Sequence, residues 1–209
     1  MTATPDTVWT QEAFFPWAEA QDLPYEFDGN RPVAMPPGNA GHGLIRLNVL
    51  TALKARLRGG ACKVLGANIG VETVGKAVRY PDALVTCSKV ENAARLVPGV
   101  VVVFEVASPE STRIDWYTKI REYAAVPSIR RYVILDTTGI ALMNLEHSTP
   151  DRPWQARALL EGDILRLPEI GIEIPVAEFY DEMTFPDEVD DTGRPIRGSV
   201  RDNVGREGA

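Results

Sequence analysis

Apolar positions recur along this chain with two different periods, one that suits helices and one that suits strands. From Gly43 to Arg58 the apolar residues Leu44, Ile45, Leu47, Val49, Leu50, Leu53 and Leu57 follow the helical period, and Gly59-Gly60 ends the run. Upstream, Thr10 is placed to cap a helix through Glu12, Phe14, Phe15, Trp17 and Ala18, with Pro16 disturbing it. Tyr25 to Asn30 reads as a short strand entering a turn, Val33 to Met35 as the return strand, and Pro36-Pro37-Gly38-Asn39 as a loop. Val64, Asn68, Ile69, Val71, Val74, Val78 and Tyr80 fall in short β-like pieces, with a hairpin turn at Gly75-Lys76. Ala83 to Cys87 is a further strand. Val100 to Ala107 is the strongest strand in the chain, apolar on both faces as a central strand would be. Ser108-Pro109 breaks it, and a helix is expected over about Thr112–Ala125, with Thr112 and Asp115 spaced as a capping box. Tyr132–Leu135 and Ile140–Leu145 pair across Thr137-Thr138-Gly139; Trp154–Leu160 and Ile164–Leu167 are further short strands, and Pro175–Tyr180 a short helix.

That order predicts an α/β (α+β) fold, with a central mixed β-sheet flanked by helices and additional β-hairpins. The Val100–Ala107 strand, the following helix and Tyr132–Leu135 form a right-handed βαβ crossover. Residues 1–185 are expected to form one domain, and the polar, Gly-rich stretch 186–209 a flexible acidic tail.

Composition narrows the function classes. A chain of 209 residues buries enough surface to fold without disulfides, and its two cysteines, Cys62 and Cys87, suit a reducing compartment. With His42 and His147 as the only histidines, no zinc spacing exists. The N-terminus lacks a basic stretch followed by an apolar run, and no apolar segment is long enough to span a bilayer. The expectation is a soluble, cytoplasmic chain. A net charge of −7 argues against tight nonspecific DNA binding, which phosphate neutralisation drives. It leaves room for a nuclease, whose site needs carboxylates.

Glu105 is out of place in its strand. A buried charge costs several kcal/mol, roughly, unless it is paired or bound to a metal. Alternation puts Val101, Val103, Glu105 and Ala107 on one face, near the end of the strand where open α/β sheets tend to place their sites. Asp82, fixed after Pro81 at the start of the neighbouring strand, would supply a second carboxylate, and two such groups can hold Mg²⁺. Lys119, on the next helix, is either the surface partner of Asp115 or an ammonium reaching toward a phosphate. Lys54, Arg56 and Arg58 read as a solvated helix face; Trp17, Trp116 and Trp154 read as core.

Taken together, Pro81-Asp82, Glu105-Val106-Ala107-Ser108-Pro109-Glu110-Ser111-Thr112, Asp115, Lys119, Tyr123 and Arg131 to Asp136 resemble the bacterial family described as putative restriction endonucleases, within the PD-(D/E)XK superfamily. Tyr25 to Gly29, Met35-Pro36-Pro37 and His42 resemble its N-terminal signature, so the likeness covers about residues 10–182. The resemblance implies a restriction endonuclease-like core and an endonuclease that hydrolyses DNA with Mg²⁺ or Mn²⁺. Asp82 and Glu105 would be metal carboxylates, the Val106 carbonyl a third ligand, and Lys119 the catalytic lysine. The superfamily's lysine usually sits two residues after the glutamate, where this chain has Ala107; in this family it has moved to the following helix. Glu26 matches an acidic position, as an outer-shell ligand or a hairpin residue. His42 is a hydrogen-bonding loop residue or a phosphate contact, and Asp115 would orient Lys119. The competing expectations are a non-catalytic DNA- or protein-binding module on the same fold and a metal-dependent hydrolase of another substrate. A homodimer is attractive, because double-strand cleavage needs two sites.

Overall fold

The computed structural model describes residues 8–107, 113–147 and 153–185, apart from the side chains of 113–115. Among the described residues three helices, α1 (Gln11–Glu19), α2 (Ala40–Leu57) and α3 (Arg113–Ala124), accompany twelve strands. Six of these form the main sheet: β3 (Lys63–Gly66), β6 (Ala83–Thr86), β7 (Val100–Val106), β8 (Arg131–Leu135), β9 (Ala141–Glu146) and β10 (Gln155–Leu160). They lie in the order β10-β9-β8-β7-β6-β3. Only β7 and β8 are parallel, joined through α3; the other neighbours are antiparallel, so the sheet is mixed as expected. A second sheet, order β2-β1-β5-β4, is built from β1 (Tyr25–Phe27), β2 (Pro32–Ala34), β4 (Val71–Glu72) and β5 (Val78–Arg79). The hairpin of β11 (Ile164–Leu167) and β12 (Ile172–Pro175) precedes a 3-10 turn, Val176–Tyr180.

The main sheet is covered on both faces. Ile45, Val49 and Leu53 of α2 pack with Val102, Phe104 and Val133 on one side, joined by Leu165, Ile174 and Phe179 from the C-terminal hairpin and turn. On the other side Tyr123 and Ile120 of α3 meet Leu84, Val103, Tyr132 and Ile134. The N-terminal sheet has its own small cluster, in which Phe14 stacks on Phe27 at a centroid distance of 5.3 Å. Trp17 packs there, and Trp154 stacks on His147 while its indole N–H donates to the Ile120 carbonyl, so both are core-forming as expected.

Several details depart from the sequence reading. Helix α2 begins at Ala40 rather than Gly43, because the Asn39 side chain accepts the backbone N–H of His42 and caps it. Strand β12 was not anticipated; only Ile172 and Ile174 carry its alternation, too short a pattern to register. The register of β6 on β7 slips between Val85 and Thr86, so Val101 is bulged and packs with the α2 cluster instead of sharing a face with Val103. Thr112, Ser108 and Pro109 lie outside the described residues, as does the stretch 186–209.

The cysteines are also not free. One step beyond the Lys63–Thr86 pair of β3 and β6, Cys62 and Cys87 come opposite each other and form a disulfide, with Cα atoms 3.9 Å apart. Their separation of 25 residues hides this cross-strand adjacency from the sequence.

Phe104 sits at the centre of the main sheet with no exposed surface. Phe104→Ala should therefore lower the unfolding free energy by about 3–5 kcal/mol, read from urea melts. A loss below roughly 1 kcal/mol would contradict its place in the centre of the core.

Candidate functional site

The site forms where β6 begins and β7 ends. Ala83 pairs with Phe104, so the next step outward brings Asp82 beside Glu105. Alternation puts Asp82 on the face of Leu84, and Glu105 on the face of Val103; both belong to the side of the sheet that α3 covers. Asp82 Oδ2 accepts the backbone N–H of Val106 at 2.8 Å, which fixes the carboxylate at the strand end. Its Oδ1 lies 2.8 Å from His42 Nε2, an arrangement that puts the ring proton on Nε2. His42 occupies the first turn of α2, and Arg46, one turn further, brings Nη1 to 3.9 Å from the same oxygen.

Glu105 is held from α3. Lys119 Nζ donates to Glu105 Oε1 at 3.1 Å, and the Tyr123 hydroxyl donates to the same oxygen at 3.0 Å. Oε2 takes no hydrogen bond among the described residues. The side chain is 14% exposed and that of Lys119 is 21% exposed. Lys119 therefore points inward, toward Glu105; the Asp115 side chain expected to orient it lies outside the described residues.

What does orient Lys119 is Glu26, on β1, whose Oε1 lies 3.3 Å away. The Tyr80 backbone N–H donates to that oxygen, and Arg79 Nη1 donates to Glu26 Oε2 at 3.0 Å. Arg79 is itself gripped by both oxygens of Glu122 at 2.6 Å, and Glu122 also accepts from the Thr73 hydroxyl. A chain of alternating charge thus runs Glu122–Arg79–Glu26–Lys119–Glu105. Sequence reasoning placed Glu26 near the site but missed Arg79, Glu122 and Arg46. Arg79 ends a two-residue strand and Glu122 sits on a helix among other charges, so neither stands out in the sequence.

Electrostatics follow from this packing. Burial pushes the Glu105 carboxyl up to about 7; Lys119 opposes the rise, while Asp82 and Glu26 add to it. Burial works against the Lys119 ammonium, but Glu105 and Glu26 outweigh it and hold it protonated well above the ordinary lysine range. Burial and then Glu105 likewise raise Tyr123 far above its usual value, so its hydroxyl stays a donor. Around Asp82, Glu105, Glu26 and Glu122 stand Lys119, Arg79 and Arg46, leaving the carboxylates in excess.

All of these charged groups but Glu122 line a cavity of about 900 Å³ that also reaches Trp116, Tyr25, Met35 and Arg95. Trp116, expected in the core, is instead 36% exposed at this cavity. Among the described residues no three His, Cys, Asp or Glu side chains gather as a metal-binding group. The donor set fits a hard cation such as Mg²⁺, which takes one or two carboxylates and keeps several waters. Two other arginines are committed elsewhere: Arg56 pairs with Glu178, and Arg131 with Glu169 and Glu146. No helix among the described residues is long and apolar enough to cross a membrane.

The model of the family described as Uma2, "Putative restriction endonuclease", matches residues 11–177. The chain belongs to this family. It is 26% identical over 176 residues to the uncharacterized protein slr1290 of Synechocystis sp., covering 83% of this chain and 92% of that one. Its fold is similar to that of a crystal structure from Anabaena variabilis described as a putative nuclease belonging to DUF820, with a TM-score of 0.61 at 10% identity, over 76% of this chain and 90% of that one. The Uma2 match bears out the family resemblance, and the shared fold bears out the mixed α/β architecture expected from the sequence.

The raised Glu105 gives a pH signature. Its ordinary value is 4.5, and in the fold it is about 7. Between these values the folded state binds more protons than the unfolded chain, so this group removes stability as pH rises. The penalty is absent below the lower value and complete above the upper one. Glu105→Gln lacks it. In urea melts with EDTA, the variant should gain stability relative to wild type across this window and then level off. A difference that stays flat with pH would contradict the raised carboxyl.

Proposed function

We propose that this chain is a Mg²⁺- or Mn²⁺-dependent endonuclease that hydrolyses phosphodiester bonds in DNA. The observation that carries the reading is the convergence of Asp82, Glu105 and Lys119 on one cavity, with Glu105 Oε2 taking no hydrogen bond among the described residues. Asp82 and Glu105 would hold the ion, with the Val106 carbonyl as a third ligand. When bound, it would lower the pKa of a water and neutralise charge on the phosphate.

The chain's own residues then have distinct tasks. Hydrolysis forms a bond from the water oxygen to phosphorus and breaks the bond to one sugar oxygen, which leaves with a proton. Lys119 faces the phosphate and offsets the charge that develops there. Tyr123 fixes the Glu105 carboxylate. Glu26, held by Arg79, positions Lys119 rather than contacting the ion, and His42 keeps Asp82 in place. We assign the activity to the cytoplasm and to a symmetric homodimer that brings two such sites to one DNA.

Plasmid incubated with purified protein and Mg²⁺ or Mn²⁺ should be nicked or linearised, and EDTA should stop it. Lys119→Met should cut about 10²–10³ more slowly while still binding metal. Asp82→Asn should weaken metal binding itself, so that excess Mn²⁺ partly restores its rate. Wild type that binds DNA yet cuts nothing across metals would replace this reading with the non-catalytic module.

A separate readout needs no activity. Millimolar Mn²⁺ should raise the melting temperature of wild type, because an ion that binds only the native state stabilises it. Glu105→Gln should lose most of that rise; equal responses in both proteins would exclude Glu105 as a ligand.

A further inference from the structure

The chemical groups of the site lie at the bottom of a cavity, not on an open surface. The Asp82, Glu105 and Lys119 side chains are 12%, 14% and 21% exposed. A stacked duplex is stiff over about 150 base pairs and presents its phosphates on the outside of a broad cylinder. Such a backbone reaches a recessed floor poorly. One strand with an unstacked base enters a cavity of about 900 Å³ far more readily.

The wall above the floor is suited to a base. Trp116 lines the cavity and is 36% exposed, the largest side chain among the exposed apolar residues described. It lies three residues before Lys119 on α3, so the two share one face, with Tyr123 four residues further on. Toward the cavity this helix therefore presents an aromatic plane and an ammonium, while the fully buried Tyr123 grips Glu105 from beneath. One helical turn, roughly 5 Å, separates successive groups, the scale on which a phosphate and its attached nucleoside are spaced. Leu23, Pro24, Met35 and Pro36 supply apolar surface along the same cavity. Arg95, also on the lining, lies over the Phe15 ring and pairs with Glu19, while Arg46 is half-exposed near Asp82.

The basic residues outside the cavity do not make a track for duplex. Arg56 and Arg131 are each tied to carboxylates, and the whole chain carries a net charge of −7. Duplex binders gain most of their affinity from neutralising a row of phosphates, whereas single-strand binders add stacking on aromatic side chains.

Building on the endonuclease reading, we propose that the substrate is single-stranded or locally unpaired DNA, with one base stacked on Trp116 while its phosphate lies against Lys119. Trp116 is then the residue that selects strand state, and Lys119 serves the chemistry whichever strand arrives.

The test uses the full chain and labelled oligonucleotides of one sequence as single strand, perfect duplex and duplex with a central unpaired stretch. Binding is measured by fluorescence anisotropy in EDTA, and cleavage in Mn²⁺. Single strand and unpaired duplex should bind and be cut at least tenfold better than perfect duplex. Trp116→Ala should reduce single-strand binding by roughly ten- to a hundredfold, and Trp116→Phe should recover most of it, with melting temperatures showing that both variants fold. Perfect duplex cut as fast as single strand, or Trp116→Ala binding like wild type, would overturn the substrate assignment while leaving the endonuclease intact. Trp116-dependent binding of single strands with no cleavage of any substrate would uphold the strand preference and remove the endonuclease. Absence of single-strand binding overturns the proposal.

Discussion

Everything at the site depends on one unfavourable placement: a carboxylate on the most apolar strand of the sheet. Glu105 follows Phe104 on β7 and faces the layer formed by Tyr123, Tyr132 and Ile134. Left alone, such a group would protonate or the strand end would open. Lys119 and Tyr123 answer it on one oxygen, and Glu26 answers Lys119 in turn. Each member of the chain from Glu122 to Glu105 is buried only because its neighbour has the opposite charge. The network ties the N-terminal sheet, which carries Glu26 and Arg79, to α3, which carries Glu122, Lys119 and Tyr123. Breaking one partner of a buried pair typically costs about 3–5 kcal/mol, because the remaining charge is stranded. The geometry of Lys119 is thus set by long-range pairing rather than by helix-surface neighbours.

The main outlines were legible in the sequence for reasons that can be named. The Val100–Val106 run and the βαβ crossover announce themselves through unbroken apolar stretches flanked by a helical period. Glu105 was legible because it violates the character of its strand, and Asp82 because it follows Pro81 at the start of the neighbouring strand. What the sequence concealed was relational. The bulge at Val101 depends on the register of β6 and changes which face that residue takes, yet leaves Glu105 where alternation from Val103 would put it. The Cys62–Cys87 bond, the Arg79–Glu122 grip and the His42–Asp82 contact each join residues whose separation along the chain carries no local signal.

Trp116 and Lys119 show a subtler failure of helix-face reasoning. On a wheel, Trp116, Ile120 and Tyr123 suggest one apolar side, and Lys119 sits at its border. The border residue is the one that turns inward here, because a carboxylate rather than an apolar surface waits beneath it. The tryptophan, larger and more apolar, stays at the cavity rim. Hydrophobicity alone ranks these two residues in the wrong order of burial, since the sheet face they cover is not uniformly apolar.

The acidity of the chain and its family membership are compatible once charge is considered locally. A net charge of −7 would weaken any mode of binding that depends on a broad basic surface. It does not weaken a recessed site in which an ion, Lys119 and Arg46 together meet one phosphate while aromatic and apolar walls meet the nucleoside. In the site as proposed, Asp82 and Glu105 would recruit the cation, and specificity would pass from long-range attraction to fit within the cavity. A protein built this way would bind long DNA weakly and act where a strand is already open, which ties its unfavourable charge and its recessed site to a single physical cause.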